Sequence, residues 1–594
     1  MATKRPRAYS PGDSPCYQEQ RFDEVMNLVS ELHQTVTTAQ RHRVLDKILR
    51  KSPSFANSLV QGGAVQALCL QLGFVLSFPY KSRGPESEVD QITMIFHVLG
   101  SLYQNCSERI REDSIDQIGR QILHVSIQVW KQSTNAPELL RHDRRSSLLS
   151  IWTFFSLSSA GSALLLEQED FLYLLQSQMI SDKDQHESVT KDINHLDNLQ
   201  RQEKVYIILK HITHHSESYR LTIFEQFGTI LSRLATALDL EQSSLERLAS
   251  IFRNLALTSR VRVAMVENSH VISALLQLLL RFSNFYPYKQ HAKAARTLLC
   301  TLGTLCLETD ACLLLILHGD GMILSILFQY LRSAQVDEVI RRRSARALRL
   351  LSQSKATVAV LVTLKLATYE DEDSDFLTSL YQVARHDPCL NVRTEATMAY
   401  AQCVAYAFTE KSPLGEETFF KRLDQIMNNL VELSQKVPTA AEPLAETFQN
   451  QVKKTSSEKS RDVRVIILRH PSYLKAITDL ALRPNSSRLT YNCITSSLIC
   501  LARDESLDRD MLVTEPVLNC LVHMATNSES AGQEQREAAV QALVELSSST
   551  SRSKEIVTHG GLLHALIRYT TGCIDGNAKE NVKKTLLSRL IPEL

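Results

Sequence analysis

Five windows of this 594-residue chain repeat one design, a polar-rimmed turn followed by an apolar helix start and a Leu-rich helix. They are LVQGGAVQALCLQL (59–72), IFEQFGTILSRLA (223–235), MVENSHVISALLQLLL (265–280), ILHGDGMILSILFQYL (316–331) and IVTHGGLLHALIRYT (556–570). Anchored on Phe227, Ser269 and Gly321, successive windows lie 42 and 52 residues apart, and anchors at Glu515 and Gly561 lie 46 apart. The longest interval carries RFSNFYPYKQH (281–291) as an insertion. One such unit cannot bury its apolar face alone, so a chain with this period is expected to stack helical units on one another. Stacking also escapes the ceiling of roughly 250–300 residues on a single core.

Between the anchors run further helices with alternating small and apolar positions: AKAARTLLCTLGTLCLE (292–308), RRRSARALRLLSQS (341–354) and QREAAVQALVELSSS (535–549). Alanines such as Ala294, Ala295, Ala345, Ala347, Ala539 and Ala542 let helix axes approach closely, as stacked hairpins require. Together with FRNLA (252–256), these patterns resemble the armadillo-repeat family. The likeness is carried by residues 240–355 and 485–575, extends to 40–110 and 145–235, and thins over 376–435. It implies an all-α, right-handed armadillo-like superhelical solenoid whose third helices line a concave groove.

The resemblance also implies which positions face a ligand. Asn254, Thr304, Leu350, Gln402, Cys500 and Glu545 align with the family's groove asparagine. Four residues earlier, at the groove tryptophan of the nuclear import receptors, stand Ser250, Cys300, Arg346, Met398, Ser496 and Gln541. Only Trp152, in WTFFS, keeps a tryptophan there. Lacking the tryptophan–asparagine ladder, the chain is not expected to grip basic nuclear signals. Arg296 and Arg342 come one turn before the tryptophan position and Arg346 occupies it, so neighbouring third helices would project guanidinium groups toward one surface. Arginine forks suit carboxylates or phosphates. The alternative is a solvated helix on which Arg341, Arg342, Arg343, Arg346 and Arg349 pair with Glu338 or nearby carboxylates. Glu537 and Glu545 give the last third helix the opposite sign, which would favour an extended ligand laid in one direction.

Charge and composition narrow the function classes. Lysine plus arginine (66) nearly balances aspartate plus glutamate (65), so nothing global draws the chain to nucleic acid or an anionic membrane. Glycine (18) and proline (16) are sparse, as befits a helical protein. Of twelve cysteines, Cys69, Cys300, Cys306, Cys493, Cys500 and Cys520 sit in apolar helical runs and read as reduced core thiols of an intracellular protein. No run of about 18 apolar residues and no signal-peptide-like start occurs, so a soluble cytoplasmic protein without membrane insertion is expected.

Four segments follow from the polar stretches. Residues 1–20 read as a disordered tail and 21–435 as armadillo-like repeats with a polar insertion near 181–204. Residues 436–462 read as a polar linker or hinge, and 463–594 as C-terminal repeats. The helix after the tail carries Phe22, Val25, Met26, Val29 and Leu32 on one face and would cap the first repeat. EDEDSD (370–375) reads as a solvated interhelical loop. In the tail, Lys4, Arg5 and Arg7 form a candidate nuclear-import signal. Ser10 and Ser14, each before proline, are candidate phosphosites that would add about two negative charges apiece and mask it.

No phosphate-cradling glycine loop, nucleophile elbow, zincin helix or paired CxxC is found. His211 and His215 have zinc-helix spacing but lack the intervening glutamate and a third ligand, so they read as helix-end histidines. Neither catalysis nor a cofactor or metal is therefore expected. The sequence points to a protein-interaction scaffold or adaptor that binds a protein or extended peptide, acidic or phosphorylated, along its groove. The alternative is a solenoid-type transport or exchange factor for nuclear cargo or a small GTPase.

Overall fold

The computed structural model describes residues 15–34, 38–77, 85–133, 138–179, 191–215, 217–236, 242–284, 292–317, 321–332, 336–363, 375–407, 416–453, 458–483, 486–526, 533–549 and 553–559. Apart from short 3-10 turns, their regular structure is α-helix. The chain forms two compact units, Met1–Leu275 and Leu276–Leu594.

In the first unit, Thr38–Gln61, Pro85–Asn105, Glu138–Ser156, Lys191–His215 and Gln242–Ala256 each contact the next, forming one continuous helical layer. In the second unit, the corresponding layer is Ala292–Leu305, Glu338–Leu351, Leu390–Ala407, Ala441–Val452, Arg488–Arg503 and Gln533–Ser549. Behind it, Met322–Arg332, Phe376–His386, Glu416–Lys436, Pro471–Leu482 and Glu515–Thr526 form a parallel layer of successive contacts. These are the stacked units that the sequence period demands. The two glycines with positive φ, Gly63 (89°) and Gly321 (82°), stand at equivalent turns of two repeated windows, where an L side chain would be strained. In MVENSHV the residue just before the helix is Asn268, whose side chain accepts from the His270 and Val271 amides (3.1 and 3.3 Å).

Neighbouring repeats are also tied by ion pairs between residues about one repeat apart. Arg247 pairs with Glu203, Arg296 with Asp337, Arg349 with Glu395 and Arg385 with Glu432. Two such pairs lie inside the protein, Arg341–Asp387 (3.1 Å) and Arg464–Asp504 (2.9 Å), each side chain 7% exposed or less.

Three boundaries expected from the sequence are corrected. The proposed linker at 436–462 contains a 3-10 turn, Pro438–Ala440, and the helices Ala441–Val452 and Glu458–Leu468. Ala441–Val452 takes a full place in the layer. Its few apolar residues, Leu444, Ala445, Phe448 and Val452, fall on one buried face, and two of its buried polar side chains bond to neighbouring helices. Thr447 Oγ1 donates to the Ala401 carbonyl (3.0 Å), and the Tyr473 hydroxyl donates to Gln451 Oε1. The polar insertion at 181–204 is helical from Lys191 onward, within Lys191–His215. Helix begins in the expected tail at Pro15, whose missing N–H is harmless in a first turn. The tail residues Lys4, Arg5, Arg7, Ser10 and Ser14 lie outside the described residues, as does most of EDEDSD. Its last member, Asp375, caps Phe376–His386 through the Thr378 amide (2.7 Å).

The thiols separate into two groups. Cys69, Cys306, Cys493 and Cys520 are buried as expected, with Cys106, Cys312 and Cys403. Cys300 and Cys500, expected inside, are half-exposed, because their helices turn those registers outward. Burial pushes Cys69 and Cys403 up to about 12 and Cys493 to about 11, far from thiolate formation. Alkylation of native protein is therefore expected to label Cys300, Cys389 and Cys500 first. Cys69, Cys403 and Cys493 should react only after denaturation, and peptide mapping showing uniform native labelling would contradict this burial.

Candidate partner-binding surface

Arg296, Arg342 and Arg346 lie on two adjacent helices of the second unit's layer, Ala292–Leu305 and Glu338–Leu351. Their surroundings differ. Arg296 Nη2 pairs with Asp337 Oδ2 (2.7 Å), while Asp337 Oδ1 accepts from the Val339 amide (2.9 Å) and caps the helix. Arg343 donates to the Arg296 carbonyl, Arg341 is buried against Asp387, and Arg349 pairs with Glu395 (2.7 Å). Four of the six arginines thus fasten one repeat to another. Arg342 and Arg346, one turn apart, are exposed and make no hydrogen bond or ion pair with the described residues. They form a pair of guanidinium forks presented to solvent.

The other two expected groove residues have partners within the first unit. Trp152 is fully buried, stacked on Trp130 (centroids 4.9 Å apart, 18° between planes) and set edge-on to Phe171 (5.2 Å). Its indole N–H donates to Ser126 Oγ (2.8 Å). Trp152 is a core residue because the Glu138–Ser156 helix buries Leu148, Leu149, Ile151, Trp152 and Phe155, a register that the pattern WTFFS alone does not fix. Asn254 is half-buried and its amide donates to the Lys210 carbonyl (3.0 Å) and Thr213 Oγ1 (3.2 Å), tying its helix to the preceding Lys191–His215.

His211 and His215 stack with ring centroids 6.4 Å apart, with His214 5.0 Å from His215. Among the described residues no group of three His, Cys, Asp or Glu side chains is placed to hold a metal. Burial, then the nearby Lys210, His215 and His214 charges, lower His211 to about 4. An unfolded histidine titrates near about 6.5. Between these values the unfolded chain binds more protons, so stability falls as pH drops through that window. Replacing His211 by Asn is expected to flatten the fall in melting temperature between about pH 6.5 and pH 4. An unchanged slope would show that the histidine titrates normally.

A concave feature lies in the first unit, where Pro85–Asn105, Glu138–Ser156 and Lys191–His215 run side by side. A cavity of about 370 Å³ opens there, lined by Ser146, Ser147, Ser150, Lys204, Gln104 and Phe154 among others. Lys204 Nζ donates to the Ser146 carbonyl (2.9 Å) and to the hydroxyls of Ser146 and Ser150 (both 2.8 Å). Desolvation lowers the Lys204 pKa from its ordinary range, partly offset by the charge of Glu203. This cluster is not apparent from the sequence. Its only local signal is the i, i+4 serine spacing in RRSSLLS, and the lysine arrives from a helix 58 residues on.

Sequence comparison finds no matching family model and no matching curated relative. Solved structures do match. Two crystal structures of Uso1 superpose with TM-scores of 0.61 and 0.56 at 10% identity, over 99% and 96% of this chain and 93% of each of theirs. A β-catenin structure from a study of a phosphorylation switch controlling its interaction with cadherin matches with TM-score 0.53 and 13% identity. It spans 95% of this chain and all of that one. The SYS-1/POP-1 complex matches with TM-score 0.55 and 12% identity, over 88% and 99%. The chain therefore has an all-α, repeat-helix solenoid fold that resembles the armadillo/HEAT type.

Proposed function

We propose that this protein is an interaction scaffold or adaptor that holds an acidic or phosphorylated segment of a protein partner against the exposed face of Glu338–Leu351. The observation that carries this reading is the contrast among the arginines. Four of them are engaged with acceptors inside the repeats, whereas Arg342 and Arg346 stay exposed with no carboxylate paired to them among the described residues. Two guanidinium groups one helical turn apart can each take a carboxylate or phosphate in bidentate fashion. Arg296, neutralised by Asp337, belongs to the frame of this surface and is not a ligand contact. Trp152 and Asn254 have no part in it. The matched β-catenin structure, from work on its phosphorylation-controlled binding to cadherin, and the SYS-1/POP-1 complex support a protein partner for a fold of this kind. Use in the cytoplasm, with nuclear entry through Lys4, Arg5 and Arg7 under control of Ser10 and Ser14, is part of the same proposal.

The test is a double substitution, Arg342→Ala with Arg346→Ala. Melting temperature should stay nearly constant, since exposed charges contribute roughly 0–1 kcal/mol each. Affinity for an anionic peptide partner should fall by at least about tenfold, and wild-type binding should weaken with salt because the attraction is screened over about 8 Å at physiological ionic strength.

A further inference from the structure

We infer that the Lys204 cavity is a phosphoryl-binding site, taking a phosphate group borne by a partner side chain or by a small ester. It lies in the first unit and is independent of the arginine surface. The Lys204 ammonium directs all three N–H donors to neutral oxygens, two from Ser146 and one from Ser150. Among the described residues no carboxylate lines the cavity. The adjacent acid, Glu203, is held elsewhere by Arg247 and by the Ser243 hydroxyl (3.3 Å). A half-buried positive charge thus faces a concave space with nothing of opposite sign in it, an arrangement that an incoming anion stabilises.

The hydroxyl geometry leaves donors free for that anion. Ser150 donates its proton to the Ser146 carbonyl (2.9 Å) and accepts from Lys204. Ser146 Oγ accepts from Lys204, so its own proton is available to a ligand. Ser147, Gln104 and His97 also line the cavity, without hydrogen-bond partners among the described residues. Donors from two helices beside one ammonium outnumber the two oxygens of a carboxylate and suit the three of a phosphoryl group. The lowered Lys204 pKa agrees with this, because a bound dianion would restore the charged form.

The experiment titrates the full chain with inorganic phosphate, with a phosphoserine peptide and with its unphosphorylated counterpart, followed by calorimetry. Both phosphate-bearing probes should bind wild-type protein, and the unphosphorylated peptide should not. Lys204→Met should lower phosphate affinity by at least about tenfold. Because that change also removes three interhelical hydrogen bonds, Ser147→Glu is the second variant. It leaves the Lys204 bonds intact, places a like charge in the cavity and should abolish binding at unchanged melting temperature. A peptide bound more tightly than inorganic phosphate identifies a partner chain as the source, and equal affinity identifies a small ester. The Arg342→Ala/Arg346→Ala protein should bind inorganic phosphate normally, which separates this site from the proposed partner surface. Failure of wild-type protein to bind either probe at millimolar concentration, or equal binding by wild type and Ser147→Glu, overturns the inference.

Discussion

Replacing Asp387 by alanine is expected to destabilise the second unit by about 3–5 kcal/mol, the cost typical of breaking a buried ion pair by removing one partner. Asp387 receives Arg341 Nε at 3.1 Å, and the two side chains are 4% and 7% exposed. Asp387 also orients the turn into the next helix by accepting from the Cys389 amide (2.8 Å). Without it, the buried Arg341 guanidinium loses its carboxylate partner, and the Val336 carbonyl (2.7 Å), a neutral acceptor, cannot balance its charge. Exchanging both residues for apolar ones, Arg341→Met with Asp387→Leu, should cost distinctly less than Asp387→Ala alone, since no charge is then stranded. Urea unfolding followed by circular dichroism compares the three proteins. A loss in Asp387→Ala below about 1 kcal/mol would place the pair in solvent.

Trp152→Ala should produce a loss of similar size, about 3–5 kcal/mol, in the first unit. The indole fills space between Trp130 and Phe171 and satisfies Ser126. Truncation leaves a cavity that helices stacked on both sides cannot readily close, and it removes an aromatic pair. Trp152→Phe should recover part of the loss but not the hydrogen bond. Wild-type-like stability in Trp152→Ala, with weakened partner binding, would instead return this residue to a ligand-facing role.

The repeat architecture was legible because helix period and unit period are both written in apolar spacing, and Gly63 and Gly321 mark equivalent turns. Which face of a helix meets solvent was less legible. Cys300 and Trp152 occupy positions aligned with the same groove register, yet one is half-exposed and the other fully buried. Alignment by motif cannot resolve a rotation of a helix about its own axis, because core and groove positions in a two-layer stack are separated by one or two residues. Polar content misled at 441–452 for a related reason: four well-spaced apolar residues suffice to seat a helix that neighbours cover on both sides. The Lys204 cluster was illegible in principle, since residues from three helices make it and the lysine lies beyond an insertion of irregular length. Among the arginines, residue type was informative but partner was not. Asp337, Asp387 and Glu395 are chosen by stacking across one repeat, which no local window displays.

The most direct measurement of the central claim is the binding profile of the protein on an array of extended peptides that vary in charge and phosphorylation, run in parallel with Arg342→Glu/Arg346→Glu. If Arg342 and Arg346 hold an anionic partner segment, wild-type protein selects acidic or phosphorylated peptides, and the charge-reversed protein, equally folded, loses that selection and shifts toward basic ones. The same selection by both proteins would contradict the account and place the partner surface elsewhere on the solenoid.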